Sequence, residues 1–513
     1  MRRIFQKVKE IGATRDFKNI GYSLIEFLVN PLLTIMATPL LLKLLGAELY
    51  GSWVLMVSLV AILSVTNLGV SNAVVKYGSA YLERSDLASF NRVLRFTMAL
   101  CLLIGSLTTL ALFLLGPHLL FLFQNVSAET GGQIVTATRI LGAVVGVKIV
   151  TSVYSAVCMA HHRYDVLNKT NMLVNVGTTV CSVVLIYAGM KLIGLVVLML
   201  VMSVIAAAFQ YSFGRRLNRG LNFWPKWDRE AARTVFGYGI YSWLQVISSV
   251  IYTQADRIII GSILGPAALG VYSVCMQLAS KLHEIPGAAG AFLFPKFSSL
   301  RETAQTERLR SVYAMANKVV VLAVTSLSVP MFLYAESILS VWIDPDFSRD
   351  AAPILRLLII GVASGTIGIV PFYFLNGTEY VKLNTKINFA QSGLTLLGTV
   401  GLVPFAGLAG TAFSRMLGLP IGIAVRWFIE LRLLGIGWSL LFTTLAPVLL
   451  LFALSGGWIA WIGGPQAGGL ASLLFQLGIA VLGVLLLMGL VLFGGGMSAK
   501  LRNMRNRERE ETV

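Results

Sequence analysis

The chain has 513 residues, of which 56% are hydrophobic and only 12% charged, and its mean hydropathy is +0.79. A soluble domain carries about 25% charged residues, so a water-soluble protein of this size is excluded and the composition is that of a polytopic membrane protein. The formal net charge of +18 raises nucleic acid as a partner, and the placement of the charges decides against it.

The N-terminal stretch MRRIFQKVKEIGATRDFKN is basic, and the apolar run after it is long enough to cross a bilayer. It lacks a small-residue cleavage site, so a retained first helix is expected and not a signal peptide. About 20 apolar residues span the hydrocarbon as a helix. Fourteen such spans are expected: 20–43, 50–73, 94–122, 133–159, 170–188, 191–212, 235–262, 267–294, 312–335, 351–375, 387–404, 407–427, 438–460 and 469–493. Short turns such as LGAE (45–48) and ILGP (263–266) join several of them. Cys101, Cys158, Cys181 and Cys275 all lie in apolar runs without metal-ligand spacing and are expected as small buried residues.

The basic residues alternate with this pattern. Clusters at 1–18, 76–95, 163–169, 215–233, 296–318, 382–386, 426–432 and 500–509 hold most of the 41 Lys and Arg, and all fall on one side. Opposite connections hold only Lys43, Lys191 and Arg349. The positive-inside rule then puts both termini in the cytoplasm. The charge is topological, and no nucleic-acid partner is expected.

The chain also repeats itself. YDVLNKTNMLVNVG from Tyr164 matches YVKLNTKINFAQSG from Tyr380, an offset of 216. LLGAELYG (44–51) matches ILGPAALG (263–270) at 219, and Lys76 aligns with Lys296. Arg139 and Arg356 stand at 217. Six spans per unit insert both copies the same way round, related by an axis along the membrane normal. The expected architecture is all-α: a lobe of six spans in 1–232, a second in 233–432, and two further helices with a basic cytoplasmic tail in 433–513.

An ionisable side chain at mid-bilayer costs roughly 2.5–3.5 kcal/mol on insertion scales and faces a bundle interior or wet cavity. Lys148, Lys281 and Arg415 lie near the middle of their spans, with Arg139 and Arg356 nearer the outer ends. These five are the candidate substrate-binding residues of a cationic cavity. Glu26, Asp256, Arg257 and Glu284 are the candidates for ion coupling or gating. Two readings stand for several of them. Lys281 and Glu284, three apart, either form a private ion pair or face the cavity. Asp256 and Arg257 either hold their helix to its neighbours or gate. Arg139 and Arg356 either snorkel outward or line the path. Arg139 and Lys148 are nine apart, about half a turn out of register, and cannot point the same way. A net-positive wet pathway suits an anionic cargo such as a diphosphate, which Lys meets as a point charge and Arg bidentately.

At DRIIIGSILGPAALGVYSV (256–274) the sequence resembles the polysaccharide-transport branch of the multidrug/oligosaccharidyl-lipid/polysaccharide exporter superfamily, as does TNLGVSNAVVKYGSAY (66–81) in the first half. The family's matching segment usually begins with an acidic residue where this chain has Asn67, so no ion-coupling role carries over to that position. The resemblance covers about residues 10–435. It implies twelve core helices in two lobes. It also implies flipping of undecaprenyl-diphosphate-linked oligosaccharide, as in O-antigen, capsule or exopolysaccharide export, coupled to an ion gradient or membrane potential. The alternatives are a multidrug cation antiporter of the same superfamily, which needs an acidic or aromatic pocket, and a membrane-embedded polysaccharide polymerase or ligase. The longest non-cytoplasmic connections, 123–132 and 336–350, are short and hold no His, against the enzyme. No G-x-x-x-x-G-K-[ST] loop is present, against a primary pump. A transporter rather than an enzyme is therefore expected, with no cofactor or metal. Its expected setting is the bacterial inner membrane. Its expected partners are the lipid-linked oligosaccharide, membrane lipids and other polysaccharide-assembly proteins.

Overall fold

The computed structural model describes the backbone of residues 15–67, 69–124 and 126–510. Side chains are described within 29–494, save 30, 66–68, 125, 128, 237–245, 248, 249, 251 and 252. The described residues are helical almost throughout, and the protein is an all-α polytopic membrane protein. The chain forms two compact units, Met1–Gly270 and Val271–Val513.

The first unit holds α1 (Arg15–Leu63), α2 (Val70–Glu83), α3 (Leu87–Leu115), α4 (Ala128–Ala160), α5 (Tyr164–Tyr187), α6 (Leu192–Leu217) and α7 (Arg229–Ile263). Polar caps start three of them. Asp86 accepts from the Ser89 N–H at 3.0 Å, Ser127 from that of Thr130 at 3.3 Å, and Asp228 from those of Glu230 and Ala231 at 2.9 and 3.0 Å. α4 is the centre of the unit, packing against α3, α6, α2 and α1. Its approach to α3 is close because the contact is made of small residues: a Cβ on Gly105 would sit 3.1 Å from the Gly146 carbonyl. The Thr109 hydroxyl donates across the crossing to Gly142 O at 3.0 Å.

The second unit contains the rest of α8 (Pro266–Ala279), then α9 (Lys281–Gly290), α10 (Leu293–Glu302), α11 (Thr306–Leu333), α12 (Ala335–Trp342), α13 (Pro345–Gly365), α14 (Ile369–Asn376), α15 (Val381–Met416) and α16 (Leu419–Trp427). A π-helix over Phe428–Leu433 leads to α17 (Ser439–Ile462) and α18 (Leu470–Glu510). α11 is central: α13, α17 and α18 all pack on it. Its buried end joins Phe297, Tyr313, Phe374 and Ile429 in one core. Val321 meets Met488 and Leu492 of α18.

Among the described residues, ten helices are long and apolar enough to cross a membrane. The fourteen expected spans all fall on helices. Arg15–Leu63 holds the first and most of the second, and Val381–Leu433 holds two. The spans at 235–262 and 267–294 are α7 and the broken pair α8–α9. The expected ends differ most after spans 2, 8 and 14, where helix continues to Glu83, Glu302 and Glu510 beyond the apolar run. Cys101, Cys158 and Cys275 are buried and all four cysteines are free, as expected of small apolar residues.

The repeat is written in the backbone. Gly46 and Gly265 both take positive φ, 77° and 87°, where the first helix of each copy turns into the second. Ser85 and Ala304, also 219 apart, share left-handed φ of 57° and 52°. Around them the same bonds recur: Asp86 N–H to Tyr81 O and Gln305 N–H to Leu300 O, at 2.9 and 3.1 Å. α3 and α11 start two residues after these turns, at matched positions.

Candidate site: deep cationic residues

In the first unit Lys148 sits midway along α4, flanked by the buried Val144, Val145 and Ile149, yet its own side chain is exposed. It has no hydrogen bond or ion pair among the described residues. Two turns on, on the same side of α4, the Ser155 hydroxyl and Gln210 Oε1 of α6 stand 2.6 Å apart. Arg139 is on the opposite side of the helix, as its spacing requires. Its guanidinium stacks over Phe113 of α3, 5.3 Å from the ring centroid. The structure therefore does not bring Arg139 to Lys148.

Asp256 is buried and accepts the Arg257 N–H through Oδ1 at 2.8 Å. Arg257 reaches Gln254 Oε1 at 3.4 Å and lies in electrostatic range of Tyr50. Glu26 lies outside the residues whose side chains are described.

In the second unit Lys281 and Glu284 form an ion pair on one face of α9. The pair is not sealed off: the Lys281 side chain keeps 24% exposure and that of Glu284 43%. His283, also exposed, lies within electrostatic reach of Glu284 and of Arg415. Arg415 Nη2 donates to the Tyr272 hydroxyl at 3.3 Å. Arg415 of α15 thus reaches Tyr272 of α8 and lies within electrostatic reach of His283, which stands beside the Lys281–Glu284 pair on α9. Pro286 lies inside α9, and the Tyr373 hydroxyl donates to the neighbouring Gly287 carbonyl at 2.7 Å. Arg356 is elsewhere and engaged: its Nη2 stands 3.8 Å from Glu336, and Nε donates to Phe332 O at 3.4 Å.

Sequence reasoning missed the most deeply buried charge pair among the described residues. Arg426 and Glu430, exposed 0% and 2%, meet at 2.5 Å, Nε to Oε1. Arg426 Nη2 also donates to the Thr444 hydroxyl of α17 at 2.7 Å. The two bond across the junction of α16 and the π-helix. Among the described residues Arg426 Nη1, Glu430 Oε2 and the Tyr313 hydroxyl have no partner. By position Arg426 reads as one of a cytoplasmic basic cluster. The i,i+4 spacing in RWFIE was the signal that could have found the pair.

Comparison with known proteins follows the same lines. The family model "Polysaccharide biosynthesis protein" matches residues 40–347. The "Putative O-antigen transporter" of Shigella flexneri is 20% identical over 377 residues, 73% of this chain and 88% of that protein. Among solved structures, "Lipid II flippase MurJ, inward closed conformation" has a TM-score of 0.74 at 12% identity, covering 93% of this chain and all of that one. An inward-facing multidrug resistance MATE transporter of the MOP superfamily has a TM-score of 0.64 at 16% identity, covering 77% and 92%. At these identities the structural likenesses establish the fold.

Proposed function

We infer the function from a plain premise: the chain belongs to the polysaccharide biosynthesis protein family. The protein is a flippase that moves a lipid-linked oligosaccharide across the membrane. The observation that carries this reading is the agreement of that family match with a relative of nearly full length described as an O-antigen transporter. The sign of the deep charges supports it. Lys148, Lys281 and Arg415 are basic, exposed or half-buried, and reach the depth where a cationic drug would need acids. That disfavours the antiporter reading.

The mechanism proposed is alternating access. The headgroup's diphosphate meets Lys148 in one unit and the Lys281–Arg415 cluster in the other at successive stages. Binding at each stays modest, because only a difference in affinity between states shifts the equilibrium. Glu284 holds Lys281 in place until the diphosphate competes for it. Arg356, tied to Glu336, serves structure. Both termini lie in the cytoplasm of a bacterial inner membrane, as the basic clusters require, and the protein is a transporter without catalytic residues. The division into lobes at 1–232 and 233–432, with 433–513 appended, follows the repeat.

Deleting the gene and locating the lipid-linked intermediate tests the reading. Accumulation on the cytoplasmic leaflet is expected. Its normal appearance on the outer leaflet, with no other flippase present, overturns it.

A further inference from the structure

The face of α4 that carries Arg139 does not belong to the cationic site above. There α3 and α6 both pack on α4 and hardly on one another. Between them lies an apolar groove of about 660 Å³. Gly146 and Val150 form its floor, Phe113 and Leu110 one wall, and Val204 of α6 the other. Gly146 lets α3 come close to α4 along the floor, where a Cβ would sit 2.5 Å from the Thr109 hydroxyl. It follows α4 from Ala143 to Tyr154, about 17 Å of helix, and Arg139 lies about one turn before Ala143. Its walls continue into exposed Leu103, Leu107 and Val201, an apolar surface of the kind that faces acyl chains.

At one end stands a charge. Arg139 is exposed and stacked over Phe113, which itself lines the groove. It makes no ion pair with the described residues. A stacked guanidinium is held in one orientation with its fork free, and that fork matches phosphate oxygens. A zwitterionic headgroup would bring an ammonium needing an acid of its own. The nearest acid on α4, Glu129, is ten residues away, roughly 15 Å along the helix.

We propose that this groove is a binding site for a resident anionic phospholipid, one acyl chain lying between α3 and α6 and its phosphate on Arg139. It is separate from the cargo path, because it uses the opposite side of α4 from Lys148.

The test offers delipidated protein phosphatidylglycerol or phosphatidylcholine in mixed micelles and reads retained lipid by native mass spectrometry. Melting temperatures in lipid-free micelles report folding. The unaltered protein should retain phosphatidylglycerol about fivefold better, the scale of one basic side chain against an anionic headgroup. Arg139→Gln should abolish that preference without lowering the lipid-free melting temperature. Val150→Trp should reduce retention of both lipids by filling the floor. If that variant folds poorly, Val204→Trp fills the same space from the wall. Equal retention by the unaltered protein overturns the proposal, as does a preference that survives Arg139→Gln. Full retention in a folded groove-filled variant also overturns it, since the chain would then lie elsewhere.

Discussion

At the scale of single residues the weight falls on charges taken out of water. Lys281→Ala removes a cation and leaves Glu284 behind, so two readings separate in a double variant. If Lys281 meets the diphosphate, both the single variant and Lys281→Ala with Glu284→Ala lose most transport at normal protein level. Full transport in the double variant would leave the pair a purely structural one. Arg426 is the opposite case. It is wholly buried, and its removal strands Glu430 among Tyr313 and Ile429. Breaking a buried pair from one side costs about 3–5 kcal/mol, so Arg426→Ala should lower the melting temperature and yield sharply. Arg426→Met with Glu430→Leu should recover most of both. A melting curve unchanged in Arg426→Ala would show the pair to be dispensable. The mid-helix place of Lys148 was legible because hydropathy marks the ends of α4, whereas Lys281, expected near the middle of its span, opens α9 after the break at Ser280. Burial of Arg426 was not legible, because an arginine at a span's end looks the same whether it meets water or a glutamate one turn away.

Helices begin and cross where short local signals say so. Asp86 and Asp228 cap α3 and α7, and both carboxyls are held below their ordinary range. For Asp86 the chief cause is the bond with the Ser89 side chain, and for Asp228 the Ala231 N–H. A depressed folded pKa means that this stabilisation is full above the unfolded carboxylate value and is lost as pH falls through the folded one. Hydrogen exchange, corrected for intrinsic rates, should show the amides of Ser89 and Ala231 losing protection in acid. Asp86→Asn and Asp228→Asn should flatten that dependence. Unchanged protection below the carboxylate range would separate capping from ionisation. The helices were readable as apolar runs, and the turns at Gly46 and Gly265 as LG motifs. The breaks at Ser280 and Ala291 were not readable, since neither residue differs from those that continue helices elsewhere in the chain.

For the whole molecule the proposed topology makes one sharp demand. The segment 213–234, at the turn from α6 to α7, must be cytoplasmic. A reporter fused after Arg219 keeps three of that segment's basic residues, and it should show no periplasmic alkaline phosphatase activity. Strong activity would invert the proposed orientation. The repeat makes another demand, on pairs of sites. Within Met1–Gly270, a Cβ on Gly51 would overlap the Pro266 carbonyl, and one on Gly270 would sit 2.8 Å from the Ala47 carbonyl. Gly51 and Gly270 are 219 apart, and so are Ala47 and Pro266. The contact therefore has the reciprocity of a two-fold one, residue for residue. This bears on heredity. If the two halves descend from one duplicated unit, a single codon once supplied both glycines, and any mutation in it met its own image across the contact. Copying uncoupled them, and each could then vary alone, yet both remain glycine. In a library with both codons randomised, either single replacement by a larger residue should be depleted. Because the two share one gap, the paired replacement should cost less than the two singles together. Free enrichment of bulky residues at either position would mean that the ancestral contact no longer constrains its descendants.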